Sequence, residues 1–280
     1  MNLFPAVPVS VTSGRIIEFG KESFKLYNTR RAPGSDVRRI RFGYQGKPYV
    51  LDNHALDAVV PREHLRDASV QPGVDLASRA VNVVRRSQSL ELEYEQATLA
   101  RDAAQYDANH KVALAGTSVW TDKVNSDPIT DIENAKEAIR STVGLYPNTM
   151  LFSAKAWKAL KQHPLIIDRY KYTNSNVVTT EMVAGLFEVP RVVVGMSLTS
   201  DDAGVFSDVW GNDVILANTS LGALGQEEPS YGYTYTMEGH PLVETPYWDQ
   251  KARSWVYGVG YERAPVLSGI TSGYLIQNAG

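Results

Sequence analysis

DLASRAVNVVRRSQSLELEYEQATLARDAAQY, residues 75–106, is the stretch whose periodicity organises the rest of the chain. Leu76, Ala80, Val83, Leu90, Tyr94, Ala97 and Ala104 recur at heptad spacing, which predicts one continuous helix with an apolar face. Asp75 stands just ahead of the first of these positions and is the expected N-cap, and Pro72-Gly73 punctuates the chain before it. A helix of about 30 residues is about 45 Å long. The strict alternation Leu90-Glu91-Leu92-Glu93-Tyr94-Glu95 competes as a strand pattern. The following residues, Gln96 to Ala104, have high helix propensity and favour helix throughout.

Upstream of this rod the charge is concentrated. Residues 15–47 hold nine bases (Arg15, Lys21, Lys25, Arg30, Arg31, Arg38, Arg39, Arg41 and Lys47) against three acids (Glu18, Glu22 and Asp36), on a chain whose net charge is only −3. Short alternating runs at residues 15–19 and 39–44 flank the turn-forming Arg31-Ala32-Pro33-Gly34-Ser35-Asp36, so residues 9–50 read as an extended hairpin. With cations on its faces, that hairpin has too little apolar area to offset its own ordering entropy. A cationic arm followed by a rigid helix reads as a part that grips neighbouring subunits, not as an active site.

With 280 residues and 43% hydrophobic content, the chain can bury a substantial core as one large or two modest domains. The slight acidic excess argues against a dedicated nucleic-acid binder, which carries a basic balance over the whole domain. Cysteine is absent, which excludes disulfides, thiolate metal sites and cysteine nucleophiles. No window approaches about 18 uninterrupted apolar residues and the first residues lack a signal-peptide pattern, so a protein made and kept, or assembled, in a cytoplasm is expected.

From Thr130 the texture becomes alternating helix and strand. Thr130-x-x-Glu133 is a capping-box pattern, and Ile132, Ala135, Ile139 and Val143 form one apolar face that Gly144 closes. Residues 148–152 read as a buried strand, 154–162 as a helix ended by Pro164, 181–187 as a helix and 190–194 as a strand: a compact α/β unit. Tyr231, Tyr233 and Tyr235 alternate with Gly232, Thr234 and Thr236. Trp255, Tyr257, Val259 and Tyr261 repeat the pattern after a turn at residues 248–253, and the two runs are expected to pair antiparallel.

Residue patterns that carry chemistry are few. The five histidines (His54, His64, His110, His163 and His240) show no ligand spacing. Gly20-Lys21-Glu22-Ser23 lacks what a phosphate loop needs, Gly258-Val259-Gly260 lacks a third glycine, and no G-x-S-x-G elbow is present. Asp201-Asp202 and Glu227-Glu228 read as solvated loops, and the tyrosine run as cross-strand packing, not a sugar or base platform. No catalytic residue, cofactor or metal is expected.

The stretch Asp131-Ile132-Glu133-Asn134-Ala135-Lys136, continuing through Gly144-Leu145-Tyr146-Pro147-Asn148-Thr149-Met150 to Ala156-Trp157-Lys158-Ala159-Leu160-Lys161-Gln162-His163-Pro164, resembles the major capsid proteins of tailed bacteriophages. So does the element order of nearly the whole chain. The resemblance implies an α+β Hong Kong 97-type capsid fold with an N-terminal arm (residues 1–14), an extended β-hairpin loop (15–60), a peripheral domain (61–126) containing the spine helix (75–106), an axial domain (127–225) and a return to the peripheral domain (226–280). It implies self-assembly into pentamers and hexamers of an icosahedral head enclosing DNA, with encapsulin compartment shells as the nearest alternative. Scaffold, portal and decoration proteins are implied as further partners, DNA is touched weakly, and no membrane is involved. A soluble oligomeric enzyme or a carbohydrate-binding protein stands further off.

Some capsid proteins of this fold form a lysine to asparagine cross-link, but its motif is not identifiable here and non-covalent association is expected. On that reading the nine bases dock onto an adjacent subunit, and Glu91, Glu93 and Glu95, expected on the exposed side of the spine, are their candidate acceptors.

Overall fold

The computed structural model describes residues 3–15, 30, 39, 48–68, 75–170, 178–220 and 230–280. The first half of the chain runs β1 (Ala6–Val9), β2 (Ser13–Arg15), β3 (Pro48–Val50), β4 (Asp52–Pro61), α1 (Arg62–Ala68), α2 (Leu76–Arg101), β5 (Lys111–Ala113) and α3 (Pro128–Val143). There follow β6 (Thr149–Ser153), α4 (Ala154–Lys161), α5 (Pro164–Tyr170), α6 (Thr180–Phe187), β7 (Arg191–Gly195), β8 (Leu198–Ser200) and β9 (Phe206–Asp208). The chain closes with β10 (Val214–Ala217), β11 (Gly232–Met237), β12 (Leu242–Val243), β13 (Tyr247–Asp249), β14 (Ser254–Leu267) and β15 (Gly273–Gln277). Among the described residues, no helix is long and apolar enough to cross a membrane.

The long helix forms where its periodicity predicts, and Asp75 caps it: Oδ1 accepts from Ala77 N at 3.0 Å and from Ser78 N at 3.2 Å. It ends at Arg101, five residues before the expected end. Tyr106 folds back there and donates its hydroxyl to Ala100 O at 2.7 Å. The buried face also differs from the heptad reading. Val83 and Tyr94 are exposed, and the buried positions are Ala80, Val84, Gln88, Leu92, Gln96, Ala97 and Ala100. Steps of four advance only 40° beyond a full turn, so this face rotates slowly along the helix. That rotation lets α2 follow one twisted sheet and then reach a second.

The first sheet is built on β14, with β11, β12 and β13 along one edge and β4 along the other. β1 adds parallel to β11. The two aromatic runs do not pair with one another as expected. β11 lies against the far end of β14, Gly232 opposite Leu267 and Thr236 opposite Arg263, while the run at 255–261 faces β4. β14 is 14 residues long and continues past the expected strand end, and the ten-residue ladder with β4 holds its first part. The tyrosines do pack across strands: Tyr49 of β3 stacks on Tyr235 with ring centroids 4.2 Å apart. Burial pushes the Tyr235 phenol up to about 12, so it stays neutral in its core cluster.

The second sheet has the order β5-β15-β10-β6-β7. Its central strands are apolar at successive positions because both faces are covered. Met150, Phe152, Val214, Leu216 and Ile276 face a cluster containing Ile132, Ile139, Leu160 and Phe187. Leu151, Ile215, Ala217 and Leu275 face Ala97 and Ala100 of α2. This layer gathers strands from sequence-distant places, since β5 and β15 flank the 127–225 segment from outside it.

Two boundary expectations are corrected in this layer. Asp127, not Thr130, is the N-cap of α3. Its Oδ1 accepts from Ile129 N and Thr130 N at 3.1 Å each, and Pro128 fills the first helical position, where no N–H is required. Glu133 pairs with Lys136 instead of reaching back. Pro164 starts α5 in addition to ending the preceding helix. Gly144 closes α3 as expected, at φ 77°, the left-handed cap that glycine favours.

Candidate inter-subunit surface

The strands that flank the cationic segment are described. β2 pairs antiparallel with β3, from Ser13 opposite Val50 to Arg15 opposite Pro48. Arg15, Arg30 and Arg39 are exposed. Lys21, Lys25, Arg31, Arg38, Arg41 and Lys47 lie outside the described residues, as does the turn at 31–36.

The three glutamates of the long helix do not form one exposed stripe. Residues two apart on a helix are separated by about 200°. Glu91 and Glu95 therefore share one side and Glu93 looks the other way. Glu93 accepts from Trp210 Nε1 at 2.7 Å and from Ser197 Oγ at 2.6 Å, tying α2 to the second sheet's margin. Glu91 and Glu95 close on Arg263 of β14: Nη2 donates to Glu91 Oε2 at 3.1 Å and to Glu95 Oε1 at 3.3 Å. Arg263 Nη1 also donates to Gln88 O at 2.7 Å.

His54 of β4 completes this group, with Nδ1 3.4 Å from Glu91 Oε2 and Nε2 3.9 Å from Glu95 Oε1. Donor atoms of His54, Glu91 and Glu95 lie within 4.8 Å of one another, spacing a metal ion would accept. The fully buried Arg263 already supplies the positive charge between the two carboxylates, so the group works as a clasp of α2 onto β4 and β14 of the first sheet. The i, i+4 spacing of Glu91 and Glu95 was legible in the sequence; their buried partner, 172 and 168 residues away, was not.

Ser126 and His163 lie 3.1 Å apart, but they do not make a nucleophile pair. His163 Nδ1 accepts from Leu165 N at 3.3 Å, which puts the ring proton on Nε2, facing Ser126 Oγ. Ser126 in turn donates to Asp122 O at 2.6 Å. A base must accept the hydroxyl proton, and here the roles are reversed. The pair locks the turn ahead of α3 onto the segment between α4 and α5.

Two sheets braced by one long helix, with the separate β2–β3 pair beside the first sheet, define the shell-forming capsid fold of the Hong Kong 97 type. The comparisons agree. A family model described as "Phage major capsid protein E" matches residues 102–228. The major capsid protein of Burkholderia phage BcepMu is 37% identical over 280 residues, covering 98% of this chain and 89% of that protein. A phage-related protein of Bordetella bronchiseptica RB50, solved by crystallography, superposes with a TM-score of 0.83 at 51% identity, covering 100% of this chain and 91% of that one. The capsid structure of cyanophage P-SCSP1u shares the fold alone, with a TM-score of 0.60 at 10% identity and coverage of 98% and 86%. The chain belongs to the family of phage major capsid proteins. It is a structural protein of a tailed-phage virion, and the identity to a phage capsid protein favours that reading over an encapsulin shell.

Proposed function

We propose that this chain assembles non-covalently, as pentamers and hexamers, into the icosahedral head that encloses the phage genome, and that its cationic segment docks on an adjacent subunit. The observation that carries the docking reading is the excess of nine bases over three acids in residues 15–47, on a chain of net charge −3, held by a stem of three paired positions. Exposed ion pairs contribute about 0.2 to 1 kcal/mol each. Repetition around a closed shell and electrostatic steering of encounter therefore matter more than any one bridge.

On this reading the first sheet with α2 is the peripheral part of the subunit, residues 15–60 are its extended loop, and residues 127–225 supply most of the axial part. The near-neutral balance suits a wall that confines DNA without gripping it, since each neutralised phosphate would add salt-dependent adhesion. Assembly takes place in the host bacterial cytoplasm, scaffold, portal or decoration proteins are the further partners, and the chain has no enzymatic role.

The test is sedimentation velocity with negative-stain imaging of the purified protein and of an R38S/R39S/R41S variant. Closed shells or ring-shaped capsomers from the parent, and their loss from a still-folded variant, are the expected result. Normal shells from the triple variant would refute loop docking, and a monomer under every condition would refute assembly.

A further inference from the structure

Glu91, Glu93 and Glu95 each hold a partner inside the chain, and the first sheet offers a neighbour's cationic segment a separate acceptor on the face away from α2. Residues directly opposite in an antiparallel ladder share a face. Arg263, which touches α2, is an odd-numbered position of β14, so the even-numbered positions look to the other side. There Gly258 stands opposite Asp57, and Glu244 follows β12 with its N–H bonded to Gly258 O at 3.0 Å.

A Cβ at Gly258 would lie 2.7 Å from Asp57 Oδ1 and 3.1 Å from Glu244 Oε2, so two carboxylates from different strands converge over bare backbone. Both residues are exposed, and among the described residues neither has a cation within salt-bridge distance. Among the described residues, the same face carries exposed apolar side chains around them: Val59 is 55% exposed, Tyr247 54% and Leu242 52%, flanking the buried Val256. Their partners on β14, Val256 and Gly260, confirm by register that they share that face. The β2–β3 pair covers its far end, through Tyr49 on Tyr235 and its neighbour Ala264.

We propose that this face receives the cationic segment, residues 15–47, of a second copy of the chain, with Asp57 and Glu244 as its paired acceptors. Charge complementarity selects the occupant. Two like charges held close together are relieved by a guanidinium that can bridge them, and the segment brings five arginines and three lysines after Arg15. The exposed Val59, Tyr247 and Leu242 suit the aliphatic stems of those side chains. Donor segment and acceptor face are different surfaces of one chain, so the contact is head-to-tail, the type that builds a ring such as a capsomer where the rotation between copies closes. The inference rests on the loop-docking reading and names its acceptor.

The test reverses both sides of the contact. D57R/E244R should fold as the parent does but lose capsomers by about tenfold or more at fixed concentration, and adding R38E/R39E/R41E in the same chain should restore them. Unassembled D57R/E244R subunits should keep the parent's urea midpoint. A lowered midpoint recovered by the loop reversal would place the chain's own loop on this face and overturn the proposal.

Normal capsomers from D57R/E244R would also overturn it. If R38S/R39S/R41S blocks assembly in that case, loop docking survives and only the acceptor is wrong. If D57R/E244R shells form normally but no longer take up another virion protein, the face serves that protein and the second-copy assignment fails.

Discussion

Arg263 Nη2 lies 3.1 Å from Glu91 Oε2, joining the return strand to the long helix across 172 positions of sequence. The two partners are unequally placed: the arginine side chain is 0% exposed and the glutamate 50%. That inequality decides which partner the fold can lose.

Removing the acids strands a buried charge, whereas removing the base leaves a half-exposed Glu91 that water reaches and a part-buried Glu95 that can take up a proton. E91Q/E95Q should therefore cost about 3–5 kcal/mol, the usual penalty for an uncompensated buried charge. R263M, which keeps much of the volume, should cost distinctly less. Urea unfolding of the unassembled subunit would decide this, and equal losses would contradict the argument.

A second prediction concerns Gln96, buried in the middle of α2. Its Nε2 donates to Thr234 Oγ1 at 2.9 Å, and Thr234 Oγ1 donates to Phe4 O at 3.2 Å, so helix, sheet and N-terminal segment share one chain of bonds. Q96L should cost about 1–3 kcal/mol by leaving a buried acceptor unmet. Q96L/T234V should cost less than the sum of the single changes, by at least about 0.5 kcal/mol, because the two groups are directly coupled. Additive losses in a double-mutant cycle would break the proposed connection.

His163 sets a pH dependence. Burial is the largest influence and holds its pKa below the ordinary value, with the Asp127 charge opposing that shift. A base whose pKa is lowered by folding binds its proton more readily when unfolded. Its contribution is therefore complete above the ordinary histidine range, about 6.5, and declines as pH falls below it toward the folded pKa. The subunit should lose stability from pH 7 to pH 5, and H163N should flatten that part of the profile. An unchanged slope in the variant would exclude His163 as its source.

Gly195 should prove intolerant of a side chain. A Cβ there would collide with the Trp210 ring, which Glu93 holds in place at Nε1. G195A is expected to cost about 1–3 kcal/mol through overpacking and to alter the near-UV circular dichroism from that ring. A variant with parental stability and spectrum would mean that the ring moves aside freely.

The residues that announced the architecture are those whose signals are local. Asp75 ahead of an apolar period, Gly144 after Val143 and the alternation of Tyr231, Tyr233 and Tyr235 each act through neighbours within a turn or a strand step, so the sequence carries them openly. The α+β order and the concentration of charge in residues 15–47 belong to the same class. Small slips arose where two local signals competed. Asp127 with Pro128 outweighed the box at Thr130 because a carboxylate beside a proline-started helix meets two N–H groups at once.

Tertiary structure alone decided which side of α2 is inside, and therefore what its charges do. A heptad pattern on the helix names an apolar face but cannot state that two glutamines are buried opposite sheet acceptors, or that a strand 168 residues away delivers a guanidinium to Glu95. The register of β14 was equally hidden: β4 and β11 pair with its opposite edges, and only packing against α2 separates the face bearing Arg263 from the one bearing Asp57. Segment type follows from interactions a few residues apart. Partner, register and face follow from contacts whose cost and gain are shared across the whole chain.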